Sequence, residues 1–367
     1  MDVKKKKDQY YADYLGLEKI LDSQKPRSEE VGSPVHDELL FIITHQAYEL
    51  WFKQIIHEID SVIDIFKESY IEERNLSTIV NRLNRVSMIQ ELLIDQIKIL
   101  ESMTPMDFLE FRNLLNPASG FQSKQFRIIE NKLGLLREDR LKFSKESYDS
   151  FLKNKDKKDV REAENQKSLF FYLEQWLERT PFLEDGSFNF WKEYKSSVNN
   201  MLNEDVNLIK NNKNLSNEEM TRTLAHYDKI LYNYNIIFDD KEYEKLLKKG
   251  VKKISRKACL SSLFIMLYRD QPILDLPYRI ITKLIDIDNL MNKWRYGHAN
   301  LAQRMIGSKI GTGGSAGHSY LSKTLEKHKI FDDLTNLSTY LIPRSSLPSL
   351  PEKLKNKLGY YFNYEEK

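Results

Sequence analysis

The stretch DELLFIITHQAYELWFKQIIHEIDSVIDIF (37–66) decides the fold. Its apolar residues fall at Phe41, Tyr48, Phe52, Ile55, Ile56, Ile59 and Ile63, the three- and four-residue spacing that stacks side chains on one face of an α-helix. No Pro or Gly interrupts it. The same period returns from about Leu76 to Met103, through Ile79, Leu83, Val86, Ile89, Leu92 and Leu93. Thr104-Pro105-Met106-Asp107 then reads as a fresh helix start, with a Thr cap, Pro in the first turn and an acid near the positive end. That helix should stop before Pro117. Others begin near Ser123, cover Phe170–Glu178 and span roughly 187–211 and 217–248. The last long one runs from Pro277 to about Ile306, and a short one follows Gly317. No stretch alternates as a strand does, and no repeat of 20–50 residues is visible. The expectation is an all-α fold of long helices packed side by side, a single domain over 1–367. The Lys-, Glu- and Asn-rich region of about 140–250 is expected to form a peripheral charged helical outgrowth on that bundle.

Composition narrows the function classes. The 367 residues carry 57 Lys and Arg against 54 Asp and Glu, a net charge of +3. That balance argues against an extended nucleic-acid surface, and the KKKK run at 4–7 reads as a solvated tail. A single cysteine, Cys259, cannot form an internal disulfide; set in ACLSSLFIMLY, it reads as a buried thiol. There is no leader-like apolar segment and no run of membrane-spanning length. A cytoplasmic protein without membrane or nucleic-acid partners is expected.

Four places could carry chemistry. His298 shares a helical face with Ile287, Met291, Trp294, Leu301 and Met305. A lone imidazole on an apolar stripe is either a hydrogen-bonded core residue or a ligand to a group that needs only one. No second His, Cys or carboxylate stands at i+3 or i+4, which argues against zinc or di-iron. His45 is similarly placed between Phe41, Tyr48 and Phe52, and no HExxH pattern surrounds it. Arg112, one turn after Phe108 and just before Leu115, leaves an apolar face and needs an anion, either an internal carboxylate or that of a ligand. Ser119, in NPASG (116–120), offers a hydroxyl nearby. GTGGSAG (311–317) holds four of the thirteen glycines. It has neither the Walker nor the dinucleotide spacing, and reads as a hinge or a loop lying close to something.

Longer runs carry a resemblance. HDELLFIITHQAYELWFKQIIHEIDSV, FLEFRNLLNPASGFQSKQFRIIENK, WLERTP, RMIGSKIGTGGSAGHSYLSKT and NLSTYLIPR together resemble the tryptophan 2,3-dioxygenase family, from Tyr11 to about Arg344. The resemblance implies a helical bundle around a haem b pocket, one haem per subunit, with L-tryptophan and O₂ as substrates and N-formyl-L-kynurenine as product. It implies a homotetramer, a dimer of dimers. His298 corresponds to the proximal iron ligand and His45 to the distal histidine that accepts a hydrogen bond from the indole N–H. Phe41, Ile42, Ile43 and Thr44 line the substrate pocket with it. Arg112 corresponds to the clamp on the substrate carboxylate, while Phe108, Leu115 and Ser119 match further pocket positions. Thr312 corresponds to a contact to the amino-acid group in a loop that closes over the ligand. Tyr11, Tyr14 and Leu15, in the N-terminal segment 1–30, match residues inserted into a neighbouring subunit's pocket.

The chain departs from the family pattern at Leu39 or Leu40 (usually His), in GSAGH where GSSGY is usual, and in PRSSLP (343–348) where PRHWIP is usual. Ala316 and His318 border the closing loop. Two other readings stand beside tryptophan dioxygenation: a haem oxygenase for a related indole amino acid, and a non-catalytic haem-binding or interaction protein. The retention of Arg112, Thr312 and Ser119 favours an amino-acid substrate.

Overall fold

The computed structural model describes residues 9–141, 147–180, 184–185, 188–310 and 318–359. Three long helices, His36–Phe66, Glu73–Glu101 and Pro272–Ile306, form its centre. Their buried stripes, including Ile55, Ile59, Leu83, Val86, Ile280 and Leu284, join one continuous core. Helices 73–101 and 272–306 cross closely at Gly297, where a Cβ would stand 2.7 Å from Ile97 Cδ1. Lys124–Leu133, Leu169–Glu178 and Arg256–Leu267 pack around this centre, and Phe190–Lys210 adds Phe190 and Tyr194 against Phe264 and Tyr268. Cys259 is buried, at 1% exposed. No helix among the described residues is long and apolar enough to cross a membrane.

The fold is all-α, as the periodicity implies, with four local differences. The last long helix starts at Pro272 rather than Pro277. Pro272 opens its first turn with Asp275 near the positive end, so Pro277 falls inside. The segment 217–248 is two helices, Asn217–Ile236 and Asp240–Lys248. Asp239 splits them by accepting the Lys241 and Glu242 N–H groups. A two-residue ladder pairs Glu184 with Asn189. Helix 256–267 has no polar face, since nearly every residue in it is buried, and so it left no period to read. The 104–107 start is a capping box: Thr104 Oγ1 and the Asp107 carboxylate each accept the other's backbone N–H at 3.2 Å. That helix ends at Arg112 in a 3₁₀ turn, Asn113–Leu115, short of Pro117.

One buried charge cluster fastens the helices together. The Glu130 carboxylate, 0% exposed, accepts from Arg127 at 3.1 Å, from Arg295 at 2.9 Å and from Arg140. His328 Nδ1 lies 3.7 Å away, and its Nε2 accepts the Leu141 N–H at 3.1 Å. Burial pushes the Glu130 carboxyl up, but Arg140, His328, Arg127 and Arg295 outweigh it and hold it well below the usual range. Burial lowers His328 below 6.5 despite Glu130 beside it.

Both shifts make acid destabilising. A depressed carboxylate stabilises the fold above its unfolded value of 4.5, and that contribution is lost as pH falls through the folded value. A histidine with a lowered folded pKa lets the unfolded chain take the proton first, so stability declines as pH falls below 6.5. The urea-unfolding free energy should therefore drop between pH 7 and 5.5, by at most about 1.4 kcal/mol per pH unit for each such proton. His328→Gln should make that slope shallower, and an unchanged slope would remove His328 from this account.

Candidate functional site

A continuous arc of rings joins the first two histidine positions singled out in the sequence. Phe41 and His45 stand one turn apart on helix 36–66, their ring centroids 4.1 Å apart. Phe41 also meets Phe108 at 5.9 Å and Phe111 at 5.6 Å, both on helix 105–112. His45 meets Tyr48 edge-on at 6.2 Å, and Tyr48 meets Trp294 at 6.1 Å. Trp294 stacks on His298 at 5.3 Å with 18° between planes. The i, i+4 spacing of the Phe41–His45 and Trp294–His298 pairs thus places the two imidazoles at the two ends of one aromatic arc, near enough for each charge to disfavour the other.

Their protonation states follow from the surroundings. His45 Nδ1 lies 2.7 Å from the Phe41 carbonyl oxygen, which can only accept. Nδ1 therefore carries the hydrogen, and Nε2 is left with a lone pair. Desolvation lowers the His45 pKa, against the Phe41 bond and the Glu49 charge, although solvent still reaches its open side. His298 is pulled down to about 4, mainly by desolvation and then by His45, so it is neutral at pH 7. Among the described residues its ring has no hydrogen-bond partner.

This environment fits a haem. Among the described residues no three His, Cys, Asp or Glu side chains come together to cage a metal. An iron held at His298 must bring most of its ligands with it, as a macrocycle does, and needs only a neutral imidazole and flat apolar walls from the protein.

Arg112, half-buried at the end of helix 105–112, donates to the Ile310 carbonyl. It has no acidic partner among the described residues. Ile310 is the residue before GTGGSAG, so this bond ties the guanidinium to the root of the Gly-rich segment. Thr312, Ala316 and the rest of 311–317 lie outside the described residues.

The other candidates are placed less uniformly. Thr44 is buried at 5% exposed and Ile43 is 49% exposed, with Ile42 between these extremes. Consecutive helical residues turn by about 100°, so the 41–45 turn presents Phe41 and His45 together and spreads Ile42, Ile43 and Thr44 around the axis. Leu115 packs on the core at the end of the 3₁₀ turn. The Ser119 hydroxyl accepts the Phe121 N–H at 3.3 Å, and the Ser119 N–H donates to Gln122 Oε1 at 3.3 Å. Tyr11 and Tyr14 are 70% and 69% exposed and Leu15 is 39% exposed, all on the short helix Tyr11–Leu15, which Gly16 at φ 63° separates from the next one, Leu17–Leu21. The segment is held to the bundle further along, where the buried Glu38 carboxylate accepts the Arg27 and Ser28 N–H groups at 2.8 Å each.

Sequence reasoning passed over Trp294 as a site residue, although its i, i+4 spacing to His298 was visible. It also missed Phe111 and the Ile310 carbonyl, which only the packing reveals.

An all-α bundle with one neutral imidazole free of hydrogen-bond partners and an arginine without an acidic partner, both among the described residues, has groups that could hold a single-ligand metal cofactor and an anionic ligand. A family model described as tryptophan 2,3-dioxygenase matches residues 2–341. The tryptophan 2,3-dioxygenase of Bdellovibrio bacteriovorus is 48% identical over 353 residues, 96% of this chain and 98% of that protein. That of Alteromonas mediterranea is 45% identical over 352 residues, covering 96% and 97%. That of Dictyostelium discoideum is 47% identical over 352 residues, covering 96% and 88%. The chain belongs to the tryptophan 2,3-dioxygenase family.

Proposed function

We propose that the two imidazoles and Arg112 form the working site of a tryptophan 2,3-dioxygenase, with L-tryptophan and O₂ as substrates and N-formyl-L-kynurenine as product. The observation that carries this reading is the pair of neutral histidines, His45 with its Nε2 lone pair uncommitted and His298 without a hydrogen-bond partner among the described residues, on two helices that both pack against the helix ending at Arg112, which has no acidic partner among the described residues. The enzyme is an oxidoreductase that uses haem.

His298 would hold the iron of a haem b, one per subunit, through its ring lone pair, with Trp294 stacked on that ring. The chemistry supplied by a bound haem is the activation of O₂, both atoms of which enter the indole C2–C3 bond as it opens. His45 Nε2 accepts the indole N–H and sets the ring's orientation. Its lowered pKa makes it a poor base, and the indole N–H is a very weak acid, so orientation suffices. Phe41, held by Phe108 and Phe111, gives the indole an aromatic wall. Arg112 takes the substrate carboxylate in a bidentate pair, and Thr312 contacts the amino-acid group. Ile42, Ile43, Thr44, Leu115 and Ser119 complete the walls.

The active assembly is a homotetramer, a dimer of dimers, in which Tyr11, Tyr14 and Leu15 enter a neighbouring pocket. Their exposure together with Tyr10, Ile20 and Leu21 on the two adjoining short helices supports the reading, since a run of exposed large side chains, unlike single ones, marks a surface that another subunit can cover. A cytoplasmic location agrees with the single buried thiol.

The test is to load the purified protein with haem, reduce it, and add L-tryptophan in air. N-formylkynurenine absorbance should appear. A normal ferrous protein that binds O₂ yet yields none would leave a related indole amino acid as substrate, and failure to take up haem would leave only a non-catalytic role.

A further inference from the structure

We infer that Glu130 is a positioning residue for His298: it anchors Arg295 and His328, and through them holds the helix that carries His298 and the segment leaving helix 318–327 in one arrangement. The inference rests on the reading of His298 as the haem ligand.

Glu130 is one carboxylate among three guanidiniums, Arg127, Arg140 and Arg295, all 8% exposed or less. Each cation also faces an aromatic ring: Arg127 over Phe121 at 5.9 Å, Arg140 over Tyr148 at 4.1 Å and Arg295 over Phe126 at 6.0 Å. These faces soften the excess of buried positive charge, but among the described residues Glu130 is the only acid bonded to all three. A merely stabilising cluster would not need to reach the site, and this one does by two routes.

The first route is through rings. Phe126 stands one turn before Glu130 on helix 124–133. It packs under Arg295 and against Trp294 at 5.1 Å, and Trp294 stacks on His298. Rotation of helix 272–306 at Arg295 would therefore turn the plane on which His298 rests. The second route is through the backbone. Arg295 Nη1 donates to the His328 carbonyl at 3.5 Å, and Asp288 accepts the Ile330 and Phe331 N–H groups at 3.1 Å. The segment leaving helix His318–Lys327 is thus clamped to the helix that carries His298.

The experiment uses the haem-loaded protein and its iron–histidine stretching band in resonance Raman spectra of the ferrous form. Glu130→Gln should shift or split that band and lower kcat about ten-fold, with KM for tryptophan within about two-fold of the parent. Arg295→Lys, which keeps the charge but loses the fork, should shift the band in the same direction, and it decides the matter if Glu130→Gln does not fold. Glu58→Gln is the control. It alters another buried acid, bonded to Arg85 at 2.8 Å and to Gln54 at 2.6 Å and with no bond to the Glu130 cluster, and should leave the band in place. A band present in the parent, lost in His298→Ala, and unmoved in both Glu130→Gln and Arg295→Lys would overturn the role of Glu130 alone. Absence of the band from the parent would overturn both readings.

Discussion

Replacing His298 with alanine is expected to abolish haem retention and turnover, whereas His45→Ala should keep its haem and part of its activity. The asymmetry follows from what each ring does. His298 has no hydrogen-bond partner among the described residues and is neutral well below pH 7, so its lone pair is free for a Lewis acid. Nothing within one helical turn could take its place, since Trp294 and Leu301 flank it on the same face. His45 already spends Nδ1–H on the Phe41 carbonyl and offers Nε2 only as an acceptor of a hydrogen bond. Losing it removes one orienting contact, worth about 1–2 kcal/mol, or roughly a ten-fold fall in rate. The check is the haem-to-protein ratio after gel filtration, followed by turnover. Equal and complete loss of haem in both variants would mean that the iron ligand has been misassigned.

Arg112→Met should produce the largest loss of substrate affinity with haem content unchanged. A guanidinium facing a carboxylate in a sheltered pocket contributes on the order of 2–5 kcal/mol, so kcat/KM should fall between about 30-fold and a few thousand-fold. Arg112→Lys should recover little, because an ammonium cannot reproduce the two parallel N–H donors. The bond from Arg112 to the Ile310 carbonyl adds a second expectation: the variants should also alter how the Gly-rich segment responds to ligand. Tryptamine, which lacks the carboxylate, should bind the parent and Arg112→Met with similar affinity. If the parent discriminated against tryptamine no more than the variant does, Arg112 would not be the carboxylate clamp.

Much of the fold was legible because it is built from amphipathic helices. The 36–66, 73–101 and 105–112 elements lie within a few residues of where periodicity and the Thr104 cap place them. What escaped reading had physical reasons. Helix 256–267 is buried all round and shows no stripe, and Asp239 acts as a cap inside an otherwise helical pattern. Pro277 was read as a start although Pro272 and Asp275 form the better first turn. At the site, the i, i+4 ring pairs Phe41–His45 and Trp294–His298 were open to inspection, but their meeting through Tyr48 depends on helix crossing. The Glu130 cluster draws on residues 127, 130, 140, 295 and 328, and no local pattern links positions so far apart. The roles of Arg112 and Thr312 came from the family resemblance, since an arginine on an apolar face has an internal acid as its usual partner.

The most direct measurement is turnover of L-tryptophan by the haem-loaded ferrous protein under ¹⁸O₂, with mass analysis of the product before the formyl group exchanges or hydrolyses. N-formyl-L-kynurenine carrying both heavy oxygen atoms is the predicted result, and it should vanish in His298→Ala. A product with one labelled oxygen or none, or undiminished product from His298→Ala, would contradict the account.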